Sequence, residues 1–219
     1  MPSLTTENYV KAIYQLGGHM PNEVVATGAV AQQLAVSPGS VTAMLKTLRD
    51  ADLVEYAPYE GVRLTQSGKK LALRVLRRHR LIELFLAHTL ELSWDEVHEE
   101  AEHMEHSVSD RLVDRIDDYL GYPQTDPHGD PIPKSDGTVE AASGKALTEW
   151  PVGNSFRLVR VVEQSSEFLR FLTETGLNLS AVGKVIEHAP FAATTTVQVD
   201  GRTTVLSEQV AEKLIVIAL

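Results

Sequence analysis

Two imidazoles and two carboxylates fall within a short stretch of this chain: His98, Glu102, Glu105 and His106, in the run HEEAEHMEHSVSD. At about 100° per residue, their steps of four, three and one share one face of a helix. Such a face offers the nitrogen and oxygen donors that bind a divalent metal. The sequence has no cysteine, which excludes thiolate zinc and iron–sulfur chemistry. His79 and Glu83 lie four apart in an upstream segment that also reads as helix, so they too share a face, one that can meet the first. Carboxylates in this density repel one another unless cations or water screen them. Glu91, Asp95, Glu96, Glu99, Glu100, Glu102, Glu105, Asp110, Asp114, Asp117 and Asp118 are opposed within the same stretch only by Arg111 and Arg115. For Glu96, Glu100 and Asp117 the plain reading, a solvated helix face, is the one taken.

Two enzymatic readings of these residues fail on spacing. A zinc-protease helix places its second histidine four after the first, whereas here His103 follows His98 by five and rotates off the face. A di-iron carboxylate bundle needs Glu-x-x-His on two helices. Glu100 and His103 supply one such pair, and the helix of His79 supplies no second.

The elements that must position these groups begin with a helix capped by Thr5 or Thr6, carrying Val10, Ile13 and Tyr14, and ended by Gly17-Gly18. The linker HMPNEVVA leads to a short helix in TGAVAQQLAV. Ser37 caps the next helix, Pro38 suits its first position, and Val41, Leu45, Leu48 and Leu53 form its buried stripe. Two short helices around a tight small-residue turn make a helix-turn-helix. Strands at Leu53-Val54 and Val62–Leu64 add a wing around Pro58–Gly61. A long helix, Gly68 to Leu90, is apolar more than halfway round and so suits a domain centre or dimer interface. Ser93 and Glu96 form a capping box for the helix of His98, and another helix follows from Asp110 to Leu120. GYPQTDPHGDPIPKSDG breaks all periodicity. Beyond Pro151 the pattern is β, with a short helix in LRFLTETG and a hairpin turn at Asp200-Gly201, as in a small barrel of about 70 residues. The expected fold class is α+β multidomain: a winged helix-turn-helix over 1–70, a helical metal-binding and dimerisation domain over 71–125, a Pro/Gly-rich linker over 126–150, and a β domain over 151–219.

The tip of the second helix of a helix-turn-helix faces DNA. Here it offers Ser37, Pro38, Gly39, Ser40 and Thr42, with Lys46 further along and Tyr59 and Arg63 on the wing. No Arg, Asn or Gln stands at the tip, so recognition leans on phosphates and DNA shape. The net charge of −10 argues against indiscriminate nucleic-acid binding by the whole chain. No apolar run is long enough to span a bilayer, and MPSLTTENYV has neither the basic nor the apolar region of a signal peptide, so a cytoplasmic protein without a membrane partner is expected.

These motifs resemble the DtxR/MntR (IdeR-like) family of metal-dependent transcriptional regulators over the whole chain. TTENYVKAIYQL is similar to the family's first helix, and VAQQLAVSPGSVTAMLKTLRDADLVEY to its helix-turn-helix and wing entry. VRLTQSGKKLALRVLRRHRLIELFL resembles the dimerisation helix, WDEVHEEAEHMEHSVSD the metal helix, and DPHGDPIP the loop after it. The β segment resembles an SH3-like (FeoA-like) domain. The resemblance implies no enzyme and no nucleotide cofactor, but a homodimeric repressor that binds palindromic operator DNA and controls metal-homeostasis genes such as uptake transporters. It implies a primary site of Asn8, Glu102, Glu105 and His106, where residue 102 also offers its carbonyl or a water, and an ancillary site of His79, Glu83 and His98. The loop would add Asp126 and His128, completed by Glu163 or Glu167.

Departures from the family pattern refine this. Iron-type members carry Cys at position 102, whereas Glu102 matches the manganese type, which points to Mn²⁺ first and Fe²⁺ second, with Zn²⁺, Co²⁺ or Cd²⁺ as substitutes in vitro. Asn8 is neither the Met nor the Asp of the two types, but its amide oxygen is a hard donor. Lys11 replaces a carboxylate seen in some manganese regulators, against a second metal close by. Ala43 stands where Gln is common, removing a base-reading amide. The competing readings are a winged-helix regulator driven by a small organic ligand and, further off, a metal-dependent hydrolase.

Overall fold

The computed structural model describes residues 3–17, 24–140 and 143–219. They divide into two compact units, Met1–His79 with Glu105–Val108 and Pro133–Thr138, and Arg80–Met104 with Ser109–Ile132 and Val139–Leu219.

In the first unit, helix α1 (Leu4–Leu16) is capped by Ser3, whose Oγ accepts the Thr6 amide at 3.2 Å, so the cap lies just ahead of the expected threonines. Gly17 closes it through a 3.0 Å bond to the Ile13 carbonyl. Gly18 and the linker residues 19–23 lie outside the described residues. Helix α2 (Thr27–Gln33) is followed by α3 (Pro38–Asp50), where Ser37 takes the capping role its sequence predicts and accepts the Ser40 amide at 3.1 Å. Val41, Leu45 and Leu48 of α3 are buried, while Leu53 lies past the helix end and is only half-buried. Strands β1 (Val54–Ala57) and β2 (Gly61–Leu64) form the wing, with Val25 bridged to Val62 alongside. Helix α4 (Gln66–Leu90) passes from the first unit into the second; Leu73, Val75, Leu76, Leu81, Ile82 and Leu86 bury more than one of its sides, as its sequence demands.

In the second unit, the Ser93 amide donates to Glu96 at 3.0 Å ahead of α5 (Val97–Met104), the returning half of the capping box. Helix α5 stops at Met104. Glu105 and His106 therefore lie in a turn rather than on the expected continuous helical face, and they belong to the first unit. The SVS run favours a helix restart after the break, because serine side chains bond the backbone locally at a helix start. Ser109 does so by capping α6 (Asp110–Tyr119).

The domain at the C-terminal end is a six-stranded antiparallel sheet in the order β3-β8-β4-β5-β6-β7. Its strands are β3 (Lys145–Ala146), β4 (Ser155–Val161), β5 (Val182–Ala189), β6 (Thr194–Val199), β7 (Arg202–Ser207) and β8 (Leu214–Ile217), with helices α7 (Ser166–Thr175) and α8 (Glu208–Ala211) between them. Phe156, Leu158, Val185, Val197 and Val216 close its core against Leu169 and Leu172 of α7. The β6–β7 turn has φ of 48° at Asp200 and 77° at Gly201, the two positive angles a tight type I′ hairpin requires. Among the described residues no helix is long and apolar enough to cross a membrane.

Candidate metal centres and DNA-reading face

Glu105 is fully buried, and it organises a cluster in the first unit. Lys11 Nζ from α1 donates to both of its oxygens, at 3.0 and 2.8 Å. His79 Nδ1 donates to Glu105 Oε2 at 2.7 Å. His106 Nε2 lies 3.1 Å from Glu105 Oε1. Burial pushes the Glu105 carboxyl up, but the His79 hydrogen bond and the Lys11 charge outweigh it, and its pKa is lowered. Glu7 carries no ligand signal in the sequence, yet its Oε2 accepts from His106 Nδ1 at 2.7 Å. A ring whose Nδ1 carries the proton presents Nε2 as a lone pair, the form a metal needs. That Nε2 is buried without a hydrogen-bond partner, and so is Asn8 Oδ1. A carboxamide oxygen and an imidazole nitrogen left unsatisfied, the nitrogen 3.1 Å from a buried carboxylate, fit a divalent cation.

The second unit holds another cluster. Ligand atoms of Glu83, Asp126 and His128 lie within 4.8 Å of one another, and all three residues are buried. The stretch predicted as a linker thus begins as packed structure, with Asp126, His128, Asp130 and Ile132 all buried. The Asp126 side chain builds the turn, since its Oδ1 accepts the amides of His128 and Asp130 at 2.8 and 2.9 Å. His128 Nε2 donates to the Trp94 carbonyl at 2.7 Å. Its Nδ1 is therefore the lone pair, and it is buried without a hydrogen-bond partner, 3.8 Å from Glu83 Oε2. Burial lowers the His128 pKa and favours the neutral, ligating ring. Burial and the neighbouring charges of Glu83 and Asp130 raise the Asp126 carboxyl well above its usual range, with Arg80 opposing.

The other Glu83 oxygen, Oε1, accepts from His98 Nδ1 at 3.0 Å. Glu102 sits half-buried on α5, in the second unit. Glu163 and Glu167 are exposed, and Glu163 is engaged with the Ser165 amide at 3.0 Å. Neither falls in a ligand group among the described residues.

Gly129 makes the loop cluster possible. Its φ is +86°, and a Cβ there would lie 2.0 Å from the Val159 carbonyl oxygen. Gly129→Ala is expected to cost at least about 2 kcal/mol from strain and overpacking together. Urea denaturation would measure this, and a loss under about 0.5 kcal/mol would show that the loop yields freely.

On the DNA-reading side, Ser37, Pro38, Gly39, Ser40, Lys46 and Arg63 are exposed, and Tyr59 stands fully exposed at the wing tip. Ser37 Oγ is held by its cap and by Ser40 Oγ at 2.8 Å, and Thr42 Oγ1 donates to the Pro38 carbonyl at 3.0 Å.

A winged helix-turn-helix joined to buried nitrogen–oxygen donor clusters defines a metal-responsive DNA-binding protein. Comparison with known proteins agrees. Residues 1–62 match the family described as iron dependent repressor, N-terminal DNA binding domain. Residues 65–134 match its metal binding and dimerisation domain, and 145–218 match the FeoA domain. The iron-dependent repressor IdeR of Mycobacterium tuberculosis is 33% identical over 176 residues, covering 76% of this chain and 74% of that protein. The regulator MntR of Oceanobacillus iheyensis is 34% identical over 122 residues, covering 56% of this chain and 81% of its own. Among solved structures, a manganese-dependent transcriptional repressor in complex with manganese is 36% identical with a TM-score of 0.89, covering 98% of this chain and all (100%) of the other. ScaR with bound Zn²⁺ is 33% identical with a TM-score of 0.83, covering 100% of both chains. The chain belongs to the DtxR/MntR family of metal-dependent DNA-binding repressors, which are transcription regulators and not enzymes.

Proposed function

We propose that this repressor answers to Mn²⁺, with Fe²⁺ second, and as a homodimer shuts off metal-uptake genes by binding palindromic operators in the cytoplasm. The observation that carries the reading is the donor set. Buried Asn8 Oδ1 and His106 Nε2 lack hydrogen-bond partners, the latter 3.1 Å from Glu105, and without cysteine the chain has no thiolate to offer. Glu102 joins this primary set on the family motif. In the second unit, Glu83, Asp126 and His128 hold a further ion, with His98 turned towards it by Glu83 and Glu163 or Glu167 as a further donor. Of the two similar structures, the first is a complex with manganese and the second has bound Zn²⁺.

Asn8 lies within the stretch matching the DNA-binding domain, whereas Glu105 and His106 lie within the stretch matching the metal-binding and dimerisation domain. A bound divalent ion supplies the charge and coordination bonds that hold donors from the two stretches together. Glu7 orients the His106 ring, Glu105 supplies negative charge, and Asn8 commits α1. Because these donors bind better in one arrangement, that arrangement gains population with metal, and it is the one that sets two recognition helices about one DNA turn apart. Ser40, Thr42, Lys46, Tyr59 and Arg63 then contact the duplex, mainly through phosphates.

Operator binding should be measured across Mn²⁺, Fe²⁺, Zn²⁺, Co²⁺ and Cd²⁺ at fixed salt. His106→Ala is expected to weaken metal-dependent operator binding at least about 10-fold, by the cost of losing one metal ligand. Full operator affinity of this variant in chelator would overturn the proposal.

A further inference from the structure

Trp94 links two things that neither the proposed metal switch nor the DNA-reading face uses. Its carbonyl accepts from His128 Nε2 at 2.7 Å, and its indole stacks on the same imidazole, with centroids 6.2 Å apart and planes 18° from parallel. Its indole Nε1 donates to Thr173 Oγ1 of α7 at 3.0 Å, and its ring packs against the core of the β domain. The next residue continues the contact, since the Asp95 carbonyl accepts from Ser166 Oγ at 2.8 Å and its carboxylate lies 3.9 Å from Arg170 Nη1. Ser166, Arg170 and Thr173 are spaced by four and three, so a single face of α7 meets this dipeptide.

One residue therefore fixes the tautomer and the plane of the imidazole whose Nδ1 faces Glu83, and the same residue grips the β domain. A hydrogen bond on the non-ligating nitrogen is what orients a metal-binding histidine. We propose that Trp94 is the positioning residue of the Glu83–Asp126–His128 site and couples its occupancy to α7, which makes the β domain a clamp on this site. The inference rests on reading those three residues as metal donors. It assigns the β domain a role that needs no ligand from Glu163 or Glu167.

The chain has two tryptophans, Trp94 and Trp150, so fluorescence can separate them. Titrating the full-length protein with Mn²⁺ is expected to quench Trp94. The response should persist in Trp150→Phe, vanish in Trp94→Phe, and vanish in Asp126→Asn through loss of the ion. Calorimetry should show roughly 10-fold weaker binding at this site in Trp94→Ala, the scale for a lost outer-shell partner. Thr173→Val should weaken it about fivefold and Thr173→Ser restore it, the scale of one net hydrogen bond. Thr173 is remote from the ligands in sequence, and a merely structural role would lower the melting temperature of Thr173→Val without changing metal affinity. If wild type binds no Mn²⁺, the proposed function fails. If wild type binds it and the Trp94→Ala and Thr173→Val variants bind equally well, the coupling fails and the function stands.

Discussion

Glu105→Ala is expected to lower the stability of the metal-free protein by about 3–5 kcal/mol, the usual effect of removing one partner from a buried ion pair, and to abolish metal-dependent operator binding. Glu105 is fully buried and accepts two bonds from Lys11 and one from His79. The alanine variant keeps a buried ammonium while removing both oxygens it donates to. The double variant Lys11→Met with Glu105→Leu tests the cause, because replacing the pair by apolar groups of similar size is often neutral or stabilising. It should recover most of the lost stability while remaining unable to respond to metal. Lys11→Met alone should act in the opposite sense on the two readouts. The metal-free protein loses stability because Glu105 keeps its burial and loses a cation, and metal binding tightens because an ion no longer competes with Lys11 for that carboxylate. Urea denaturation and Mn²⁺ calorimetry on wild type, Lys11→Met, Glu105→Leu and the double variant form a complete cycle. A loss under 1 kcal/mol in Glu105→Ala, or metal affinity unchanged in Lys11→Met, would remove Lys11 as a built-in competitor.

The sequence yielded donor types more readily than donor geometry. His79 and Glu83 are one helical turn apart, and the structure keeps both on α4. Glu105 and His106 kept helical spacing in the sequence, but periodicity does not register where a helix stops, and tertiary bonds to Lys11 and Glu7 hold them in a turn. Glu7 was illegible for a different reason. A glutamate in the first turn of a helix reads as an ordinary surface carboxylate favoured by the helix dipole, and only the fold brings His106 and Arg78 to it. The Pro/Gly/Asp content of residues 121–137 announced a break in periodicity. It could not announce that Asp126 would satisfy two amides and bury the turn, since that depends on β4, which Gly129 meets at Val159. The Asp200-Gly201 hairpin and the Ser37 cap were legible because their chemistry is local.

Asp126→Asn is expected to separate stability from metal response in the second unit. Glu83, Asp126 and Asp130 are all buried, and Arg80 and Arg160 are the arginines that face the two aspartates. The Asp126 carboxyl is held above its usual range by burial and by the charges of Glu83 and Asp130. A folded-state pKa above the unfolded value means that the folded chain binds this proton more tightly. Stability of the metal-free protein therefore falls as pH rises from the ordinary aspartate range through the raised value, and above it this group adds no further slope. Asparagine removes that term and keeps Oδ1 as the acceptor for the His128 and Asp130 amides. The metal-free variant should be the more stable protein at neutral pH. Metal should reverse the order. At a hundredfold excess over its dissociation constant an ion adds about 2.7 kcal/mol per site, which is about 5–10 °C for a chain of this size. Asp126→Asn forfeits that increment at the loop site, and the Mn²⁺-loaded wild type becomes the more stable protein. Melting curves with chelator and with Mn²⁺ decide the matter. A variant less stable than wild type in chelator would mean that Asp126 is a structural anion satisfied by Arg80, and an undiminished Mn²⁺ shift in the variant would mean that the loop holds no ion.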